Sequence, residues 1–205
     1  MSDDDSGKVQ LADLYSFDVD EFNCISTVVS SSQEAAKSCT DVACFQPQSS
    51  GFIFTNVFAD DDTRALFTRI LDFVRSNRET VSFPFRCDGV SHSNHYITTV
   101  HPVQRKHVRF SNRLLDSDER PPRSRWMTRP ANGDNSADYL VCSLCNRLNE
   151  QSEWVEFQEL IDRSLWVSEK LMYCEYTVCT TCQRGVEQRL FTTDSKRTDP
   201  APLPA

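Results

Sequence analysis

Cys142-Ser-Leu-Cys145 and Cys179-Thr-Thr-Cys182 are the two stretches whose reading decides what this chain builds. In each, two residues separate the cysteines, so a tight turn aims both sulfurs at one point. Two such turns supply the four thiolates of a closed tetrahedral Zn²⁺ site. Cys142, Cys145, Cys179 and Cys182 are therefore the expected ligands of a structural zinc ion. The interval between the pairs exceeds simple ribbon spacing, so residues 146–178 must fold back on themselves. Within them Trp154, Phe157, Leu160, Ile161 and Leu165 recur at helical intervals, with Glu156, Glu159, Asp162 and Arg163 between them. This predicts one short amphipathic helix with Ser152 as its cap. Residues 173–178, rich in aromatic and β-branched side chains, predict a strand that delivers Cys179. Cys174 is read as a core thiol in preference to a substitute ligand. The competing reading is a pair of redox motifs, or buried free thiols. Redox motifs normally come singly, at a helix N-terminus behind a strand.

The chain has 205 residues, 39% of them hydrophobic, enough for one ordinary domain and a small one. No apolar run approaches the roughly 20 residues of a spanning helix, and Met1-Ser-Asp-Asp-Asp5 is unlike a basic signal-peptide start. The expected location is therefore the cytoplasm, where paired thiols among nine cysteines favour metal over disulfides. The net charge of −8 is unevenly distributed: residues 1–62 carry −10, residues 63–133 carry +7 and residues 134–205 carry −5. The basic middle is either a nucleic-acid footprint or is neutralised by the acidic flanks, and the acidic total favours the second.

Residues 1–10 read as a disordered lead-in and residues 191–205 as a disordered tail. Residues 11–22 suggest a short helix or turn, followed by a strand near 24–29; small polar residues over 30–50 predict short helical turns and loop. After the apolar residues 51–58, Asp60-Asp61-Asp62-Thr63 starts a clear helix whose buried stripe is Leu66, Phe67, Ile70, Leu71, Phe73 and Val74. Three consecutive aspartates invite a divalent-cation reading, but consecutive carboxylates do not all point at one ion, and a solvated helix start is preferred. Residues 81–86, 96–103 and 108–115 alternate with period two and predict antiparallel strands, with Pro84 at an edge or bulge and 104–107 as a hairpin link. Residues 116–139 read as a linker onto which Trp126 and Met127 dock.

The helix running into Phe73-Val-Arg75, the segment Val81-Ser-Phe-Pro-Phe-Arg-Cys-Asp88, the strand ending Asn112-Arg-Leu-Leu115, then Leu140-Val-Cys-Ser-Leu-Cys-Asn-Arg147, Glu153-Trp-Val155 and Thr177-Val-Cys-Thr-Thr-Cys182 carry a family likeness. Over about residues 15–190 the chain resembles uncharacterised bacterial PAS-like proteins with a C-terminal four-cysteine segment. The Pro-Phe-Arg-Cys-Asp signature is more distinctive than the zinc pattern. Relatives carry a pair of arginines where this chain has Ser91-His-Ser-Asn-His95, so a binding role of those arginines does not transfer. The resemblance implies an antiparallel sheet half-wrapped by helices on one face, and a sensory or scaffolding role without a stated ligand.

Flavin and haem find no support: no flavin-adduct motif occurs, and His92, His95, His101 and His107 fall in or near strands and loops. Arg86, Cys87 and Asp88 are candidates for ligand or partner binding, through a bidentate guanidinium or a thiol activated by a neighbouring cation. The plainer and preferred reading is an internal Arg–Asp pair with Cys87 in the core. Nucleophile and phosphate-loop motifs are absent, and no enzymatic activity is expected. The expected architecture is α+β: a PAS-like antiparallel sheet with flanking helices over 11–115, a linker over 116–139, and a small zinc-ribbon-like four-cysteine module over 140–190. The expected function is non-enzymatic sensing or scaffolding, with a protein partner or a homodimer and no membrane. The first alternative is a zinc-containing nucleic-acid-binding regulator using Arg105, Lys106, Arg109, Arg113, Arg123, Arg125 and Arg129. The second is a thiol redox sensor.

Overall fold

The computed structural model describes residues 15–30, 51–88, 92–119, 126–128, 137–162 and 172–195. Strands β1 (Tyr15–Val19), β2 (Ile25–Ser30), β3 (Val81–Asp88), β4 (His92–Pro102) and β5 (Val108–Glu119) form an antiparallel sheet in the order β2-β1-β5-β4-β3. Tyr15–Val19 is a strand and not the expected helix or turn. Its apolar residues Tyr15, Phe17 and Val19 stand two apart, which places them on one face of an extended chain. Phe17 then lies opposite Phe110 of β5, with the rings stacked at 4.9 Å. Residues 11–14 and 31–50, with the turns and loop expected there, lie outside the described residues.

A 3₁₀ turn (Phe54–Val57) leads into helix α1 (Asp61–Asn77), which packs on one face of this sheet. Asp60 caps α1 by accepting from the Thr63 backbone N–H at 2.7 Å, and Arg78 ends it in the left-handed conformation, φ 58°. Leu66, Phe67, Ile70, Leu71 and Val74 are buried as the periodicity requires, and Phe73 packs against them partly buried. Phe54 ties the layers together through Phe17, Phe58, Phe67 and Phe110. Pro84 sits on edge strand β3, where a missing N–H is tolerated.

Where a linker was expected to begin, Asp116–Glu119 continues β5 and pairs with His92–His95, past an irregularity at His95/Tyr96. The second sheet is small and mixed, in the order β6-β10-β7-β8-β9. It is built from β6 (Trp126–Thr128), β7 (Tyr139–Cys142), β8 (Leu148–Glu150), β9 (Glu153–Val155) and β10 (Met172–Thr177). Trp154 is on β9, not on a helix, and the helix α2 covers only Phe157–Asp162 among the described residues. The reason is a hairpin: Gln151 and Ser152 both have positive φ, 49° and 76°, as a two-residue type I′ turn requires, so Ser152 turns a chain and caps nothing. Helix α3 (Thr180–Ser195) runs past residue 190, into the stretch read as tail. No helix among the described residues is long and apolar enough to cross a membrane.

One buried cluster joins the two sheets. It contains Phe17, Val81, Phe83, Val100 and Phe110 of the antiparallel sheet, the buried face of α1, and also Cys142, Leu144, Val178, Cys179, Val186 and Leu190. A satellite cluster of Val141, Leu148, Val155, Phe157, Leu160 and Cys174 lies under the small sheet.

Candidate metal centre

Strands β7 and β10 run parallel and side by side, with Cys142 level with Thr177. Both cysteine pairs therefore follow the C-terminal ends of neighbouring strands, which is what brings them together. Parallel neighbours need a crossover of a dozen or more residues. The hairpin β8–β9 and helix α2 lie within that crossover, which accounts for the long interval between the pairs.

The first pair spans the turn after β7. Cys142 N–H donates to the Arg147 carbonyl at 2.9 Å, Asn146 N–H to the Cys142 carbonyl at 2.9 Å, and Asn146 takes φ 56° to close the turn. The second pair is built differently from the expected tight turn. Cys179 precedes α3 and Cys182 lies in its first turn, so this pair sits at a helix N-terminus behind a strand. Position alone would make it a redox motif; the convergence of four sulfurs is what distinguishes it.

All four Sγ atoms lie within 4.8 Å of one another, and Cys145 Sγ is 3.9 Å from Cys179 Sγ. A Zn–S bond of about 2.3 Å in a tetrahedron sets sulfurs about 3.8 Å apart, so the cluster has the size of a zinc site. None of the four is in a disulfide. Backbone N–H groups point at the sulfurs, Cys179 N–H at Cys142 Sγ and Cys182 N–H at Cys179 Sγ, each at 3.3 Å. Such donors offset the charge that four thiolates leave on the ion. Cys142 and Cys179 are buried, while Cys145 and Cys182 are half-buried. Hydrogen bonds from Cys145, Cys179 and Cys182 push the Cys142 thiol well below its ordinary range, and bonds with Cys142, Cys145 and Cys179 push Cys182 well above it. Thiols this close do not all ionise unless a cation sits among them; Zn²⁺ would take all four as thiolates. The four cysteines are thus positioned to bind a metal ion, and a four-sulfur donor set selects zinc over hard cations.

The centre is fastened at two places, to β3 of the antiparallel sheet and to the start of α1. At β3, Arg86 N–H donates to the Leu144 carbonyl at 2.8 Å, and Asn146 Nδ2 donates to the Arg86 carbonyl at 3.3 Å. The Arg86 side chain, 12% exposed, donates from Nε to Asp88 Oδ1 at 2.8 Å and from Nη1 to Glu156 Oε2 at 2.5 Å. Ser93 Oγ also donates to Asp88, at 2.6 Å, and Arg147 Nε donates to the other Glu156 oxygen, at 2.9 Å. Burial alone would lower the Arg86 pKa, but Asp88 and Glu156 outweigh it and hold the guanidinium above its usual value. At the start of α1, Thr63 Oγ1 donates to Ser143 Oγ at 2.9 Å, Ser143 Oγ to Asp60 Oδ2 at 3.2 Å, and Thr177 Oγ1 to Asp62 Oδ2 at 2.7 Å. Asp61 pairs with Arg64 at 2.8 Å. The three aspartates thus take three separate tasks and do not converge on an ion.

Arg86 and Asp88 form an internal pair, and Cys87 is buried. Cys174 is buried in the satellite cluster, and burial pushes its thiol up to about 11. His92, His95 and His101 lie on β4, and His107 closes the β4–β5 link by donating its N–H to Gln104. None belongs to a metal cluster; among the described residues the four cysteines are the only such group. Of the arginine block, Arg109 makes a two-bond pair with Asp18 across β5 and β1, at 2.6 and 2.8 Å. Residues 123, 125 and 129 lie outside the described residues. Sequence reasoning missed Glu156 and Ser143, because ordinary surface residue types carry no signal of a partner 70 or 83 positions away. No family model, curated protein or solved structure matches this chain.

Proposed function

We propose that this is a non-enzymatic cytoplasmic sensory or scaffolding protein in which a PAS-like sheet binds a small ligand or a partner, a protein or a second copy, and a structural zinc ion fixes the C-terminal part against it. The observation that carries this reading is the location of the sulfurs. Four thiolates fill a tetrahedral coordination sphere and leave no position for a substrate, as in structural and not catalytic zinc sites. Two of them lie in the same buried cluster as the sheet. The PAS-like part of the reading is supported by the five antiparallel strands with α1 on one face. Metal analysis of protein purified without added zinc tests it: about one zinc per chain is expected, and a value near zero with four titratable thiols in the folded protein overturns it.

A nucleic-acid-binding role is favoured by one observation. Arg75 and Arg78 donate to the carbonyls of Lys106 and Arg105, which gathers four cations around the β4–β5 link without spending a carboxylate on those bonds. That patch lies at the C-terminal end of α1, whereas the cysteine turn meets the helix at Thr63, about 20 Å away along its axis. The zinc centre and the cations would not share a compact footprint. Retention on immobilised DNA or RNA that weakens steeply with salt would support this second reading; no retention at low salt removes it.

A further inference from the structure

The two cysteine pairs of the metal centre are not equivalent, and the difference bears on how the site comes apart. Each pair offers one buried and one half-buried sulfur: Cys142 and Cys179 lie in the core, whereas Cys145 and Cys182 reach the surface in part. A small oxidant that attacks thiolates therefore meets Cys145 or Cys182 first.

The backbone separates those two. In the first pair both intervening residues are held from outside the turn: Ser143 N–H donates to the Thr177 carbonyl and the Leu144 carbonyl accepts from Arg86 N–H, each at 2.8 Å. Drawing Cys142 and Cys145 together would pull on both neighbours. In the second pair Thr180 and Thr181 are exposed, and the two cysteines flank the start of α3. Residues three apart across a helical turn have Cα atoms about 5 Å apart, within the roughly 4.4 to 6.8 Å that a disulfide spans. Cys182 N–H already donates to Cys179 Sγ at 3.3 Å, so the buried sulfur lies over the first turn beside Cys182. The second pair is thus the one that can close on itself with little movement of the backbone.

We propose that the metal centre is a peroxide-sensitive latch, opened when a disulfide joins Cys179 to Cys182. The Cys182 thiolate attacks one peroxide oxygen; the O–O bond breaks, hydroxide leaves and Cys182 becomes a sulfenic acid. The Cys179 thiolate then attacks that sulfur; an S–S bond forms, the S–O bond breaks and a second hydroxide leaves. Two electrons pass from the two sulfurs to the peroxide. Cys142 and Cys145 remain as donors, too few for a closed tetrahedral site, and zinc is lost. The effect reaches the antiparallel sheet, because Cys142 and Cys179 share a buried cluster with Phe83 and Phe110. The proposal rests on the structural-zinc reading and deepens the sensory one by naming oxidation as the signal.

The test treats the zinc-loaded full chain with hydrogen peroxide, reads released zinc with a colorimetric chelator and maps disulfides by mass spectrometry of alkylated peptides. About one zinc per chain should be released in step with a Cys179–Cys182 bond, and dithiothreitol should reverse both. Cys182→His keeps four donors, since three cysteines and one histidine make an ordinary zinc site, but removes the attacking sulfur. It should lose zinc roughly tenfold more slowly than the parent, whereas Cys145→His should lose it at the parent rate. Zinc retained while other thiols are oxidised, release with a different bond, or equal slowing by both histidine variants would overturn the proposal. If neither variant loads zinc, the bond mapped in the parent decides alone. Zinc retained under peroxide leaves the structural-zinc reading standing; protein that holds no zinc before oxidation overturns that reading and this proposal with it.

Discussion

Arg86 on the edge strand of the antiparallel sheet and Glu156 beside the small sheet, 70 positions apart, are joined through Nη1 and Oε2 at 2.5 Å. Arg147, from the turn that carries Cys145, binds the other oxygen of the same carboxylate. One carboxylate therefore holds an arginine from the sheet and an arginine from the metal turn.

Burial would raise the Glu156 pKa, but hydrogen bonds from Arg147 and Arg86, reinforced by their charges, outweigh it and hold the carboxyl below its usual range. A carboxyl whose folded pKa is depressed contributes stability that is present above its unfolded pKa, about 4.3, and is lost as pH falls through the lower folded value. Glu156→Gln should therefore be less stable than the parent at pH 7, by roughly 1 to 2 kcal/mol. The gap should narrow below about pH 4. Urea denaturation from pH 7 to pH 3, with zinc release followed in the same samples, measures it; a constant gap would show that the charge of Glu156 is not what matters.

Removing the metal should loosen both sheets. Cys142 and Cys179 share a buried cluster with Phe83, Val100 and Phe110, so losing the ion leaves close thiols inside a core that extends under the antiparallel sheet. Chelation is expected to speed amide exchange in β3 and β4 as well as in β7 and β10. Exchange confined to residues 139–182 would mean that the sheet stands without the centre.

Leu144, 2% exposed, lies between two ligands yet packs in the common core. Leu144→Ala should cost about 2 to 5 kcal/mol by the cavity it leaves. It should also weaken zinc retention against a competing chelator, although no ligand is changed. Full stability with weaker zinc retention would place Leu144 in the metal turn alone.

Asp60 caps α1 through Oδ1 and accepts from Ser143 through Oδ2. Asp60→Ala should cost about 1 to 2 kcal/mol, at the upper end for a cap because both interactions go. In a double-mutant cycle with Ser143→Ala, the coupling energy should be measurable. Additive losses would show that the cap acts without the cysteine module.

The sequence alone determined which four cysteines pair off as candidate ligands, since the two-residue spacing within each pair is a local property of the chain. It also determined α1, through a long 3.6-residue period with Asp60 at its start, and β3, β4 and β5, through alternation over many residues. Local periodicity failed at Tyr15–Val19 and at Trp154, where short apolar runs fit either period and neighbouring strands decided the outcome. Only the tertiary structure decided how the sulfurs meet, by laying β7 parallel to β10. It alone placed Arg86 against Leu144 and Glu156 and merged the metal centre with the core of the sheet. Those contacts join residues tens of positions apart. Hydrogen-bond partners and buried neighbours at that separation are set by how the layers pack, and spacing along the chain does not encode them.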